Sequence, residues 1–343
     1  MPKRVLICLS HSIEEFDQLR LLHGLGYEVA SIGGYIDPAH PHDVKRPALD
    51  VPCYHEVKDA VDALGTEDNL GAAQSHIPDA ILEWLGADGI IIFHHYLDRL
   101  FGQWDHLAKW RNKGGRCVWR TVGQSTEDNE KKAQPYRADG LEIVRYSPKE
   151  RAIPGYAGED VLIRFYKDEG EWTGWSGDQE IVINITQHLY QRDPWTNPGF
   201  WTKVTEGLPH VALGPGSEEY GGPGQITLAT MQKSLRDARA YLYTGTQPAS
   251  YTLGLLEALM TGIPTVSIGP SHMRIFPYGH ELYEGHELCG SMWSDDPAEA
   301  RVLLEGLLAD HDLARQVSQH QQFRTRQKFG RTVVGEDWAR FLG

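Results

Sequence analysis

A chain of 343 residues with 41% hydrophobic and 23% charged residues has the composition of a folded globular protein, which excludes a largely disordered one. Its formal net charge of −14 argues against a protein that lives mainly on nucleic acid or anionic membrane, where phosphate contacts dominate affinity. No apolar run reaches the roughly 18–20 residues that span a bilayer, and the length favours two domains of roughly 150 residues each.

Met1-Pro-Lys-Arg leads straight into Val5–Leu9, too short for a signal-peptide core and without a small-residue cleavage site. The four cysteines, Cys8, Cys53, Cys117 and Cys289, show no CxxC spacing, and three sit in or beside apolar runs. Buried reduced thiols and a cytoplasmic compartment are therefore expected.

In chain order, residues 3–9 form a buried strand, 13–26 a helix ending at Gly24-Leu-Gly26, and Tyr27–Gly33 the next strand. This β-α-β opening predicts a parallel sheet with right-handed crossovers. Tyr35–Tyr54 is irregular and rich in Pro, Asp and His (His40, His42, Lys45 and Arg46 among them), a loop placed to overlie the carboxyl edge of the sheet. Asp88–Phe93 is a central strand, because its unbroken apolar run means burial on both faces. Arg116–Val122 and Leu141–Tyr146 add two more, completing a Rossmann-like domain over 1–166.

Lys167–Gln179 is polar, Gly-rich and acidic, the profile of an exposed hinge. A second α/β run follows over 180–322: strand Glu180–Ile185, helix Phe200–Glu206, strand Pro209–Leu213, helix Leu228–Ala238 and strand Ala240–Thr244. Helices are expected at Pro297–Ala309, Asp312–Lys328 and Asp337–Phe341. Arg324, Arg326, Lys328 and Arg331 form the densest basic cluster, at the spacing of a solvated helix face.

Tyr241–Gly269 reads as strand, loop, helix, turn and strand. Its loop, Thr244–Tyr251, delivers a helix N-terminus, where free backbone N–H groups and the helix dipole make a phosphate seat. Glu257 lies inside that helix, and Gly262-Ile-Pro264 ends it with a C-cap glycine and a helix-stopping proline. The stretch Ala249-Ser-Tyr-Thr-Leu-Gly-Leu-Leu-Glu257-Ala-Leu-Met-Thr-Gly262-Ile-Pro264-Thr-Val resembles the donor-binding signature of retaining glycosyltransferases of the glycogen-synthase and sucrose-synthase-like superfamily. The second half of the signature matches closely, whereas the family's first Glu falls on Ala249, which removes the usual contact to the transferred sugar.

The resemblance implies a GT-B fold, α/β, with two Rossmann-like domains facing across a cleft and C-terminal helices over 323–343 crossing back to the first domain. It implies that Glu257 accepts hydrogen bonds from ribose hydroxyls, that Thr252 and Leu253 offer backbone N–H groups, and that Tyr251 or Thr252 reaches phosphate or sugar. The family's diphosphate-binding Arg-x4-Lys pair falls on Gln187 and Arg192, so one cation is lost; Lys203 is a substitute. Gly214-Pro-Gly216 resembles the family's Gly-x-Gly turn, which brings Gly216 to the donor. From the first domain, His94 or His95 stands at the end of a buried strand, with His95 preferred at the reacting centre beside Arg192 and Thr252. Ser10, His11 and Gln124 take acceptor-facing positions with His94, and Ser147 falls where relatives carry a cleft-facing Ser. Glu14 and Glu15 follow in a first helical turn, where the dipole alone accounts for acidic residues.

No Asp-x-Asp motif of the kind that metal-dependent glycosyltransferases use for Mn2+ or Mg2+ stands out, nor any HxxxH or Cys/His cluster, so no metal site and no cofactor are expected beyond the nucleotide-sugar co-substrate, with uridine diphosphate the first candidate. Among His280, Glu281, Glu284 and His286, the resemblance assigns Glu281 to the donor. The partners expected are a nucleotide-sugar donor and a carbohydrate or other hydroxyl acceptor, with nucleic acid disfavoured by charge. The reaction expected is metal-independent, anomer-retaining glycosyl transfer. Alternatives are a hydroxymethylpyrimidine DNA-base glycosyltransferase, a nucleotide-sugar epimerase, and a non-catalytic nucleotide-sugar-binding module, the last motivated by Ala249 and Gln187.

Overall fold

A computed structural model describes residues 3–8, 11–39, 46–94, 97–123, 125–247, 249–272 and 288–343. The chain divides into two units, Met1–Tyr166 with Val334–Gly343, and Lys167–Val333.

The first unit runs β1 (Arg4–Cys8), α1 (Ser12–Gly24), β2 (Glu28–Ser31), α2 (His55–Asp62), α3 (Asn69–Ser75), α4 (Asp79–Leu85), β3 (Ile90–Phe93), α5 (Leu97–Gly102), α6 (Trp104–Arg111), β4 (Arg116–Arg120), α7 (Glu127–Ala138), β5 (Glu142–Arg145) and β6 (Val161–Leu162). Among the described residues these strands form a six-stranded parallel sheet, β2-β1-β3-β4-β5-β6. Strand side chains alternate between faces. Leu6, Cys8, Ile91 and Phe93 accordingly pack with α2–α6, while Val5, Ile7, Ile90 and Ile92 pack with Phe16, Leu19 and Leu22 of α1. Each such burial contributes about 1.5–3 kcal/mol.

The second unit runs β7 (Gln179–Ile185), α8 (Pro198–Thr205), β8 (His210–Leu213), α9 (Leu228–Asp237), β9 (Ala238–Tyr243), α10 (Leu253–Thr261), β10 (Thr265–Ile268), β11 (Trp293–Ser294), α11 (Pro297–Ala309) and α12 (His311–Phe329). Its sheet, again among described residues, is parallel and ordered β11-β10-β9-β7-β8. Helix α10 ends on Gly262 at φ +99, a left-handed conformation that a side chain resists, and a Cβ there would lie 3.0 Å from Gln322 Nε2.

The last helix, α13 (Arg331–Leu342), spans the boundary at Val334. Within the first unit, Val334, Trp338 and Leu342 join the α1 face of the core. The last carbonyls of α13 are satisfied by basic side chains: Lys3 Nζ donates to Leu342 O at 2.6 Å, and Arg116 to Phe341 O at 3.1 Å.

Two sequence expectations about organisation are refined by burial and by the division into units. The stretch Lys167–Gln179, expected as an exposed hinge, begins at the unit boundary and is exposed only in part: Thr173, Gly174, Asp178 and Gln179 are exposed, whereas Lys167 and Trp172 are buried and Trp175 Nε1 donates to Ala238 O at 2.8 Å. Its tryptophans outweigh its polar, glycine-rich composition. Residues 323–333, expected within the crossing helices, group with the second unit, where Phe329 O accepts from Lys167 N at 3.0 Å and the Phe329 ring meets Tyr251 at 5.1 Å.

Candidate functional site

In the second unit the chain leaves β7 for β8 on one side and reaches β9 on the other. Loops from neighbouring strands part at such a switch point, and ligands of open α/β sheets bind there, outside the carboxyl ends. The loops concerned are 186–197 after β7 and 244–252 after β9.

Thr252 caps α10, its Oγ1 accepting from Leu255 N at 3.2 Å. Leu256 N–H closes the first helical bond on Thr252 O, and the N–H groups of Leu253 and Gly254 find no acceptor among the described residues. Two open donors at the positive end of a helix constitute an anion seat. A Cβ on Gly254 would lie 3.7 Å from Ile185 O, so this first turn is packed on the end of β7. Nearby on the sheet, Asn184 Oδ1 and Thr244 Oγ1 are buried without a hydrogen-bond partner among the described residues.

The two loops are laced together. Asn197 Nδ2 donates to Thr244 O at 2.9 Å, and Gln247 N to Trp195 O at 2.9 Å. His188 and Asn197 both hold φ +53, left-handed values that side-chain-bearing residues adopt at a cost, and which cluster at ligand sites. Arg192 is half-exposed, donates to Gln187 O at 3.4 Å, and enters no ion pair among the described residues, Asp193 included. Gln187 is exposed on the same loop, and Lys203 is exposed on α8. Gly216 serves local packing: at φ +82, a Cβ would strike Gln191 Oε1 at 2.5 Å, and Gln191 Nε2 donates to Gly216 O at 3.1 Å.

Glu257 is 2% exposed, and its Oε1 accepts from Lys167 Nζ at 2.7 Å; Lys167 is 0% exposed. The sequence reading missed this partner, because Lys167 lies 90 residues away in a stretch taken for a linker. Tyr241 hydroxyl sits at the last residue of β7, bonded to Ile185 N at 3.3 Å. Burial, then the charge of Glu257, holds its pKa well above the ordinary tyrosine range. Tyr251 is buried and meets Phe329 edge-on at 5.1 Å.

In the first unit the strand order reverses between β1 and β3. His94, at the end of β3, is buried with Nε2 on Gln18 Oε1. His11 is exposed and precedes α1 without a side-chain capping bond. Glu14 and Glu15 do more than answer the helix dipole, since both are buried. Glu14 lies 3.8 Å from Arg120, and Glu15 accepts from Ser31 Oγ, Tyr35 N at 2.9 Å and Gly34 N at 3.2 Å. Burial pushes the Glu15 carboxyl up to about 7 against those hydrogen bonds. Ser147 is buried and caps a short turn by accepting from Lys149 N at 3.2 Å, and Arg46 is buried over the Phe16 ring. The expected site residues Ser10, His95, Gln124 and Glu281, with His40, His42 and Lys45, lie outside the described residues.

Among the described residues no group of His, Cys, Asp or Glu is placed to hold a metal, and no helix is long and apolar enough to cross a membrane. All four cysteines are free thiols, and burial raises Cys117 and Cys289 to about 12.

Two parallel α/β units with the last helix returning to the first define the GT-B fold, the architecture of a large class of glycosyltransferases. Over 99% of both chains it is similar to Anabaena Alr3699/HepE, solved with UDP-glucose, at 12% identity and a TM-score of 0.65. A glycosyltransferase from Rickettsia africae is similar over 99% of this chain and 98% of its own, at 8% identity and a TM-score of 0.67. T4 phage β-glucosyltransferase is similar over 99% and 98%, at 14% identity and a TM-score of 0.50. No family model matches the sequence, and no curated protein matches it either.

Proposed function

We propose that this protein transfers a sugar from a nucleoside-diphosphate sugar, with uridine diphosphate the leading nucleotide, to a hydroxyl acceptor. The observation that carries the reading is the open N-terminus of α10 at the switch point of the second unit, in a chain whose fold is shared, over 99% of both chains, with a protein solved with UDP-glucose.

Cleavage of the donor places growing negative charge on the leaving diphosphate, and fixed donors aimed there stabilise the transition state more than the ground state. The N–H groups of Leu253 and Gly254 and the Arg192 guanidinium are the donors in this role. Thr252 fixes the helix end, Tyr251 holds it against Phe329, and Glu257 takes the ribose. Gln187 brings its amide in place of a second cation, and Gly216 shapes the loop beneath it. The family resemblance, not a position in the structure, assigns His11, His94, Ser10 and Gln124 to the acceptor and His95 to the reaction. Diphosphate binding by backbone and arginine needs no metal ion, and retention of anomeric configuration belongs to the same reading.

Thermal-shift titration tests it: UDP is expected to raise the melting temperature, since a ligand that binds only the native state stabilises it. A flat response to UDP, ADP, GDP and dTDP alike would sink the proposal. Turnover is expected to survive a chelator, and the product anomer read by NMR is expected to match the donor. Arg192→Ala is expected to change unfolding stability by under about 0.5 kcal/mol, as a surface substitution. The same variant should weaken UDP binding about tenfold or more, the worth of a charge-assisted hydrogen bond. Unchanged affinity would remove Arg192 from the site.

A further inference from the structure

We propose that Lys167 is the positioning residue for Glu257, holding that carboxylate ionised and in one rotamer so that the vicinal hydroxyls of a nucleotide ribose are recognised. The inference rests on the donor reading above and assigns a role to a residue outside the loop and helix that define the seat.

Helix α10 is apolar almost throughout, with Leu255, Leu256, Ala258, Leu259 and Met260 all buried, and Glu257 is its single carboxylate. Two charges taken out of water pay a desolvation penalty that their attraction often fails to repay, and an apolar pair would pack such a helix as well. The retained charge therefore points to a use for the carboxylate itself. Its position suits one: Glu257 follows the open N–H groups of Leu253 and Gly254 by about one helical turn, and its charge is felt by the Tyr241 hydroxyl at the end of β7.

Lys167 is fixed independently of Glu257. Its backbone N–H donates to Phe329 O at 3.0 Å, and its ammonium lies 5.9 Å from the Trp172 ring. Phe329 in turn packs on Tyr251, directly before the Thr252 cap. One aromatic and ionic frame thus sets both the helix end and the carboxylate behind it. The ammonium on Oε1 at 2.7 Å fixes the orientation of the carboxylate, a group able to accept about four hydrogen bonds.

Calorimetric titration of the full chain with UDP and with 2′,3′-dideoxy-UDP tests the assignment. Lys167→Met is expected to weaken UDP about tenfold, the worth of a charge-assisted hydrogen bond, and to leave the dideoxy analogue within about threefold. Lys167→Arg, which restores the cation, is expected to recover most of the UDP affinity, and Glu257→Gln to show the same selective loss as Lys167→Met. If methionine prevents folding, Lys167→Gln carries the same comparison. Equal losses for both ligands, or wild-type UDP affinity in Lys167→Met, would overturn the inference while leaving the donor reading standing. A wild-type protein that binds neither ligand overturns the donor reading and this inference with it.

Discussion

Glu130→Leu is expected to lower the free energy of unfolding by about 3–5 kcal/mol, because it strands a buried guanidinium. Arg145 and Glu130 form a bidentate pair at 2.6 and 2.7 Å, with both side chains fully buried. Arg145 also donates to Gly158 O at 2.9 Å and lies over the rings of Trp119 and Tyr156, so it has no route to water. Ala157 N loses its acceptor, Glu130 Oε2, in the same substitution. The double variant Glu130→Leu/Arg145→Met is expected to recover most of the loss, since replacing a buried pair by apolar groups is often near neutral. Urea unfolding of the variants is the measurement, and single substitutions within about 1 kcal/mol of wild type would show the pair to be hydrated. The pair joins β5 to α7 within the first unit.

A second large effect is expected in the pH dependence of stability. Glu150 is buried, accepts from Thr121 Oγ1 at 2.7 Å and from Tyr146 N at 3.2 Å, and has its carboxyl raised from 4.5 to about 7. Burial is the main cause, opposed by the Arg145 charge and by hydrogen bonds from Thr121 and Ser125, with Glu130 adding to the rise. A carboxyl with a raised pKa in the native state keeps its proton while the unfolded chain loses it. The native state then binds more protons, and stability falls as pH rises. The contribution is fully present below 4.5 and is lost by the time pH passes about 7. At about 1.4 kcal/mol per unit, the loss amounts to roughly 3 kcal/mol. Glu150→Gln removes it, so the stability gap between wild type and variant is expected to shift by that amount between about pH 4 and pH 8. Glu15 has the same sign and a similar raised value, which leaves a residual slope in the variant. A gap that stays constant with pH would mean that Glu150 titrates as an exposed group.

Much of the fold was legible because its signals are local. Helix α11 was expected at Pro297–Ala309 and is found there, since Asp296 caps it at Ala298 N and Pro297 occupies the first turn where its missing N–H costs nothing. The strands β1, β3, β4 and β5 announced themselves as apolar or β-branched runs bounded by polar or glycine residues. Helices α2–α6 drew no such reading: they are short, and their periodicity covers too few turns to stand out. The acidic residues at the start of α1 misled for a different reason. A dipole explains exposed carboxylates, whereas Glu14 and Glu15 earn their place through Arg120 and the backbone of Gly34 and Tyr35, which only folding brings near.

The candidate site divides along the same line. The sequence alone determined the α10 segment, with its cap at Thr252, its stop at Gly262-Ile-Pro264 and its single carboxylate, because caps, periodicity and turn chemistry act within a few residues. The tertiary structure decided what that carboxylate meets, what holds the helix end, and which acidic residues are buried with raised pKa values. The first two facts depend on segments 90 residues apart (Lys167 and Glu257) and similarly distant ones (Tyr251 and Phe329) meeting in the second unit, and the third on burial in the first; an ion pair or a desolvated carboxyl leaves no mark in a segment taken alone.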